Sequence, residues 1–109
     1  MRIWDVTPKK LCRNHLLGEH RELHAIWSVL TKNKKGYSRH PETLRWKGKL
    51  AALYLRHKIL VEEMKSRGYS HYSKLNHRLA IGIEKQSAFV DSRKKQRETL
   101  QNKNCGCKI

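Results

Sequence analysis

Apolar positions along this chain fall into three stretches with helical spacing, separated by segments rich in turn residues. Leu16, Leu23, Ile26, Trp27 and Leu30 recur at helical intervals and predict an amphipathic helix from about Leu11 to Thr31. A second helix is expected over 41–67, with Leu50, Leu53, Tyr54, Leu60, Val61 and Met64 on its buried side. It opens at His40-Pro41-Glu42, where proline suits the first helical position and the acid faces the positive end of the dipole. Lys65, Arg67 and Gly68 supply the cations and the glycine that end a helix, while Gly48 inside the run marks a kink or a boundary between two helices. A third, weakly amphipathic helix is predicted over 77–102 from Leu79, Ile83, Phe89, Val90 and Leu100, capped by Asn76.

Ahead of these helices, residues 1–10 form an extended lead in which Ile3 and Trp4 are bulky enough to tie the chain end into a core. Neither internal repeats nor strand-like alternation interrupt the pattern. The expected fold is therefore all-α: a compact single domain, 1–104, of three principal helices with an extended N-terminal lead. A short Cys-Gly-Cys tail, 105–109, follows.

Charge changes the picture from a plain helical domain to a binder of polyanions. Lys and Arg number 25 against 9 Asp and Glu, a net charge of +16, where about 2–8 suffices to keep a small domain soluble. Lys32, Lys34, Lys35, Arg39, Arg45, Lys47, Lys49, Arg56 and Lys58 cluster around the first loop and the second helix, with Tyr37 and Trp46 among them. Cations with interleaved aromatics suit phosphate neutralisation and stacking at a distorted DNA step. No apolar run approaches the roughly 18 residues that span a bilayer, so a membrane is not expected as partner. The polar start, Met1-Arg2-Ile3-Trp4-Asp5, lacks a secretory h-region, and three cysteines are an odd number. We expect a reducing, cytoplasmic location with the nucleoid and a monomeric protein.

Candidate chemistry sits on the first helix. His15, Glu19 and Glu22 share one stripe, and Asn14, Gly18, Arg21 and Ala25 form the next. Small residues beside an acid and an arginine leave room for an approaching group, and we expect that group to be the protein's own N-terminus. An α-amino group has an ordinary pKa near 8, about two units below lysine, so more of it is free base at neutral pH. Amine, carboxylate and a sugar carbon together describe imine-forming glycosidic chemistry. Metal binding is the competing use of these residues. His20 and His24 lie one turn apart around Glu22, but the metalloprotease pattern needs glutamate directly after the first histidine, where Arg21 stands. Cys105-Gly106-Cys107 with Cys12 or a histidine offers soft donors, yet two thiols one residue apart chelate poorly without partners. The expectation is no metal and no cofactor.

Several of these motifs also resemble a known family. Met1-Arg2-Ile3, Asn14-His15-Leu16 and Glu19-x-Arg21-Glu22-Leu23 resemble the phage endonuclease V type of pyrimidine-dimer DNA glycosylase. Leu55-Arg56-His57 and Lys65-Ser66-Arg67-Gly68-Tyr69 match its second-helix region, and MRIWDVTPKKLCRNHLLGEHRELHAIW, GYSRHPET and RGYSHYS resemble its bacterial branch. The likeness covers about Met1 to Ser73.

The resemblance implies a base-excision repair enzyme with glycosylase and AP-lyase (β-elimination) activity on double-stranded DNA carrying pyrimidine dimers or abasic sites. It implies an N-terminal amine that attacks C1′ of the damaged nucleotide to form a Schiff base, assisted by a glutamate. By position Met1 supplies the amine and Glu22 the carboxylate; Arg2 is too large to permit removal of Met1. Arg2 and Arg21 would hold phosphates, and Asn14 and His15 would contact the DNA backbone. Lys34, Lys35, Arg45, Arg56 and His57 complete the expected DNA-binding set. Asn14 and His57 stand where the family has glutamines, Ala25 replaces an arginine, and the family's aromatic C-terminal segment is absent. The alternatives are a non-catalytic helical module binding DNA or RNA, and a lyase acting on abasic sites only.

Overall fold

Helix α1 spans Arg13–Thr31 and buries Leu16, Leu23, Ile26, Trp27 and Val29 along one side, as its apolar spacing requires. The computed structural model describes residues 2–36, 38–70, 73–103 and 105–108. Three further helices follow: α2 over Pro41–Leu44, α3 over Leu50–Ser66 and α4 over Arg93–Asn102, with short 3-10 turns at Pro8–Lys10 and His77–Leu79. Among the described residues the only β-pairing is an isolated bridge between Lys49 and Gly82. The all-α expectation with three main helices is borne out.

One core joins these elements. Leu23, Ile26 and Trp27 of α1 and Leu53, Leu60 and Met64 of α3 share it with Ile3, Trp4 and Val6 of the lead, Leu11 between the first 3-10 turn and α1, and Leu100 of α4. Each large side chain buried there contributes about 1.5–3 kcal/mol, so Ile3, Trp4 and Val6 anchor the lead in the core. Trp46, expected among the basic residues, is buried in this core.

The predicted second helix divides where Gly48 stands, at φ +74. The one-turn α2 is capped by His40, whose Nδ1 accepts the Glu42 N–H at 3.1 Å. The end of α3 follows the sequence reading: Gly68 turns left-handed at φ +83, and Gly68 and Tyr69 donate back to Lys65 (3.0 Å) and Met64 (2.9 Å).

Only the last part of the predicted third helix is helical. Residues 80–92 run as irregular chain, in which Ile81 and Ile83 serve the open N-terminus of α3. The amides of Ala51 and Ala52 donate to the carbonyls of Ile81 (2.9 Å) and Ile83 (3.2 Å), and the Ile83 amide returns to the Gly48 carbonyl at 3.1 Å. Gly82 permits this approach at φ +91; a Cβ there would lie 2.3 Å from the Gly48 oxygen. Ile81, Ile83, Phe89 and Val90 are exposed, so their spacing was no helix signal. Helix α4 begins at Ser92, whose Oγ accepts the Lys95 N–H at 3.1 Å. Past α4 the chain returns to the lead, with the Lys108 amide donating to the Lys10 carbonyl at 2.8 Å.

Candidate active site and DNA-facing surface

An extended lead inside a helical fold has no neighbouring strand to satisfy its backbone, so side chains must do so. The amides of Ile3, Trp4 and Asp5 donate to Glu42 Oε1 (3.2 Å), Glu19 Oε1 (2.9 Å) and Gln96 Oε1 (2.8 Å). Guanidiniums take the carbonyls: Arg45 donates to Ile3 O at 2.9 Å, Arg56 to Val6 O at 3.1 Å and Arg67 to Leu11 O at 2.7 Å. These residues come from α1, α2 and the turn after it, α3 and the turn after it, and α4. Each of α1 to α4 therefore takes part in holding the chain between Ile3 and Val6.

The same side chains form buried ion pairs. Arg56 grips Glu19 with Nε on Oε2 at 2.7 Å and Nη2 on Oε1 at 3.0 Å, and the Glu19 side chain has no exposed surface. Burial pushes the Glu19 carboxyl above its ordinary range, against the opposing pull of Arg56 and the Trp4 amide. Arg45 pairs with Glu42 at 2.7 Å and with Asp5 at 3.1 Å, while Trp46 Nε1 donates to Glu42 at 3.3 Å. Arg2 pairs with Asp91 and stacks over the Trp4 ring, 4.8 Å from its centre. The buried pairs Arg56–Glu19 and Arg45–Glu42 are costly to break, about 3–5 kcal/mol when one partner is removed.

Glu22 lies one turn beyond Glu19 on α1, half-buried, on the side of the helix next to exposed Arg21 and Ala25. Gly18 and Asn14 continue this open strip toward the start of α1, and a Cβ at Gly18 would meet nothing within 4 Å. The small-residue notch read from the sequence is thus open space on the helix. Met1 and Tyr37 lie outside the described residues. Lys34 and Lys35 are exposed and, with Ser38 and Lys47, line a cleft of about 280 Å³.

Other expected DNA contacts turn inward. Arg45 and Arg56 are committed to the ion pairs above. His57 is buried, with Nε2 3.1 Å from His24 Nε2, and the ring nitrogens of His20, His24 and His57 lie within 4.8 Å of one another. His15 points Nδ1 toward Cys12, Cys105 and Cys107. Glu19, Glu42, Gln96 and Arg67 were not foreseen as holders of the lead. Their partners are 15 to 91 residues away in the chain, and no local spacing encodes such pairings. Among the described residues no helix is long and apolar enough to cross a membrane.

A family model described as pyrimidine dimer DNA glycosylase matches residues 1–77, which run from the lead through α3 to the first residue of the second 3-10 turn. No curated protein and no solved structure gives a match. The match takes in the lead, the Glu19–Arg56 pair and the open strip of α1 beside Glu22. The chain belongs to the pyrimidine dimer DNA glycosylase family, whose substrate is DNA.

Proposed function

We propose that this protein excises ultraviolet-induced pyrimidine dimers and nicks the strand through an imine formed by the α-amino group of Met1, with Glu22 assisting. The observation that carries this reading is the strapping of the lead by side chains from every helix. Holding an unpaired extended segment with buried ion pairs is an expensive arrangement for stability alone. It serves a purpose if the end of the chain must be kept in one place. From the Trp4 nitrogen, fixed on Glu19 at 2.9 Å, three residues reach at most about 10 Å. Glu22 lies about 4.5 Å further along the helix axis than Glu19, within that reach.

In this mechanism the free amine attacks C1′ of the damaged nucleotide as the bond from C1′ to the base breaks, the base leaving with the bonding electrons. The ring oxygen leaves C1′ on formation of the iminium, and Glu22 stabilises the positive charge developing at C1′. Loss of a C2′ proton then expels the 3′ phosphate by β-elimination, and water hydrolyses the imine to free the enzyme. An abasic site enters the same path at its aldehyde carbon. Arg21, Asn14, Lys34 and Lys35 supply exposed contacts to the phosphates, with Arg2 at the margin of the lead. The open strip at Gly18 admits the distorted strand.

A duplex oligonucleotide with one cyclobutane pyrimidine dimer tests the reading. The native chain should nick it at the lesion, while Glu22→Gln should bind it comparably and cut about 10²–10⁴-fold more slowly. Equal cutting by Glu22→Gln would remove the glutamate from the chemistry. Salt-dependent binding without scission by the native chain would make this a binding module.

A further inference from the structure

Cys12, His15, Cys105 and Cys107 come together from the two ends of the chain, and the function proposed above uses none of their thiols. His15 Nδ1 lies 3.1 Å from Cys12 Sγ, 3.2 Å from Cys105 Sγ and 3.5 Å from Cys107 Sγ, and the last two sulfurs are 3.5 Å apart. One ring nitrogen carries either one proton or one lone pair, so hydrogen bonding accounts for only one of its three sulfur neighbours. Four donors around a shared centre account for all of them. A Zn²⁺ tetrahedron with Zn–S of about 2.3 Å and Zn–N of about 2.05 Å has edges of about 3.8 Å between sulfurs and about 3.5 Å from nitrogen to sulfur. These four separations fall on or slightly inside those edges, and all four donor atoms lie within 4.8 Å of one another.

Local structure prepares each ligand. Cys12 is the N-cap of α1 and His15 its third residue, which sets both side chains over the first helical turn. Gly106, at φ +93, bends the chain between Cys105 and Cys107 so that both thiols face inward. The Cys12 amide is aimed at Cys107 Sγ at 3.1 Å, the kind of outer contact that stabilises a metal-bound thiolate. The Trp4 ring stands edge-on to His15 with centres 5.6 Å apart and shields one side.

We propose that these four residues bind one structural Zn²⁺ that fastens the C-terminal segment to the start of α1, directly behind the lead. Three thiolates and one imidazole are the donor set for Zn²⁺ and leave no open position for a substrate. The sequence expectation of no metal rested on Cys105 and Cys107 lacking partners; the fold brings Cys12 and His15 to them. The other cluster, His20, His24 and His57, contributes three nitrogens and no sulfur, so its metal would carry a different spectrum.

The full chain purified under reducing conditions should retain one zinc per molecule by elemental mass spectrometry. After replacement by Co²⁺ it should show the intense visible bands of a tetrahedral site and thiolate-to-cobalt charge transfer. Cys105→Ser combined with Cys107→Ser should lose the metal, while His24→Asn should keep it, and chelation of the native chain should lower its melting temperature. If the serine variant fails to fold, the cobalt spectrum of the native chain still decides. A folded chain that takes up no zinc at equimolar metal, or a cobalt spectrum without thiolate charge transfer, would overturn the proposal.

Discussion

Glu19 and Glu22 are one turn apart on α1, yet their surroundings differ, and the function proposed here gives them opposite work. Glu19 is sealed against Arg56 and the Trp4 amide, whereas Glu22 is half-buried beside the open strip. Glu19→Gln should therefore cost about 3 kcal/mol in denaturant unfolding, the low end for a broken buried pair because the amide oxygen still accepts from Arg56. Glu22→Gln should change stability little and act on cleavage. Burial raises the Glu19 carboxyl above its ordinary value of 4.5, so the folded state holds that proton more tightly than the unfolded chain does. The advantage of the native chain over Glu19→Gln should then grow as pH falls from neutral toward 4.5. An advantage that shrinks over that range would mean that Arg56 outweighs burial. Gly18→Ala separates the two roles of α1 in another way. It should add about 1 kcal/mol of helix stability, since nothing crowds the new methyl, and slow nicking if DNA uses the notch. A rise in stability with unchanged nicking would free that strip from the interface.

Among the elements, α1 and α3 were legible because a stripe of apolar residues at helical spacing needs only its own neighbours to be recognised. The cap at Gly68 was legible for the same reason. The stretch 80–92 was not, because Ile83, Phe89 and Val90 imitate helix spacing while the backbone at Ile81 and Ile83 is engaged with the start of α3 and with Gly48. What decides their conformation is the free amides of Ala51 and Ala52, about thirty residues earlier in the chain. Gly82 was the readable hint, since glycine inside a helical pattern costs about 1 kcal/mol against alanine and weakens the helix reading. Gly82→Ala should destabilise the fold by at least about 2 kcal/mol, combining a disfavoured φ with a methyl driven into the Gly48 carbonyl. Urea midpoints of the two chains measure it, and an unchanged midpoint would mean that this cap is dispensable. The lead was legible as an anchored segment through Ile3 and Trp4, but not the way it is anchored. Its holders are charged or amide side chains spread from Glu19 to Gln96, and only the folded chain shows them converging.

At the scale of the whole molecule, the +16 charge correctly pointed to a polyanion, but it overstated how many cations face outward. Arg45 and Arg56 hold the lead from inside, Arg67 reaches its carbonyls, and the outward cations include Lys34, Lys35, Lys47 and Arg21. Counting charge in a sequence cannot separate these two uses of arginine. Replacing Lys34 and Lys35 together with alanine should lower the slope of log affinity against log salt by about 2, roughly one per phosphate contact, for damaged and undamaged duplex alike. An unchanged slope would move the DNA to another face. The proposed function ties these features to the chain's first residue: the ion pairs, the buried lead and the open strip near Glu22 make sense together if the Met1 amine is the nucleophile. Borohydride trapping on a duplex with a single abasic site tests that most directly, comparing the native N-terminus with a chain extended by a few residues ahead of Met1. The account predicts a covalent protein–DNA adduct with the native end and none with the extended one. Equal trapping of both would assign the imine to a lysine side chain and contradict it.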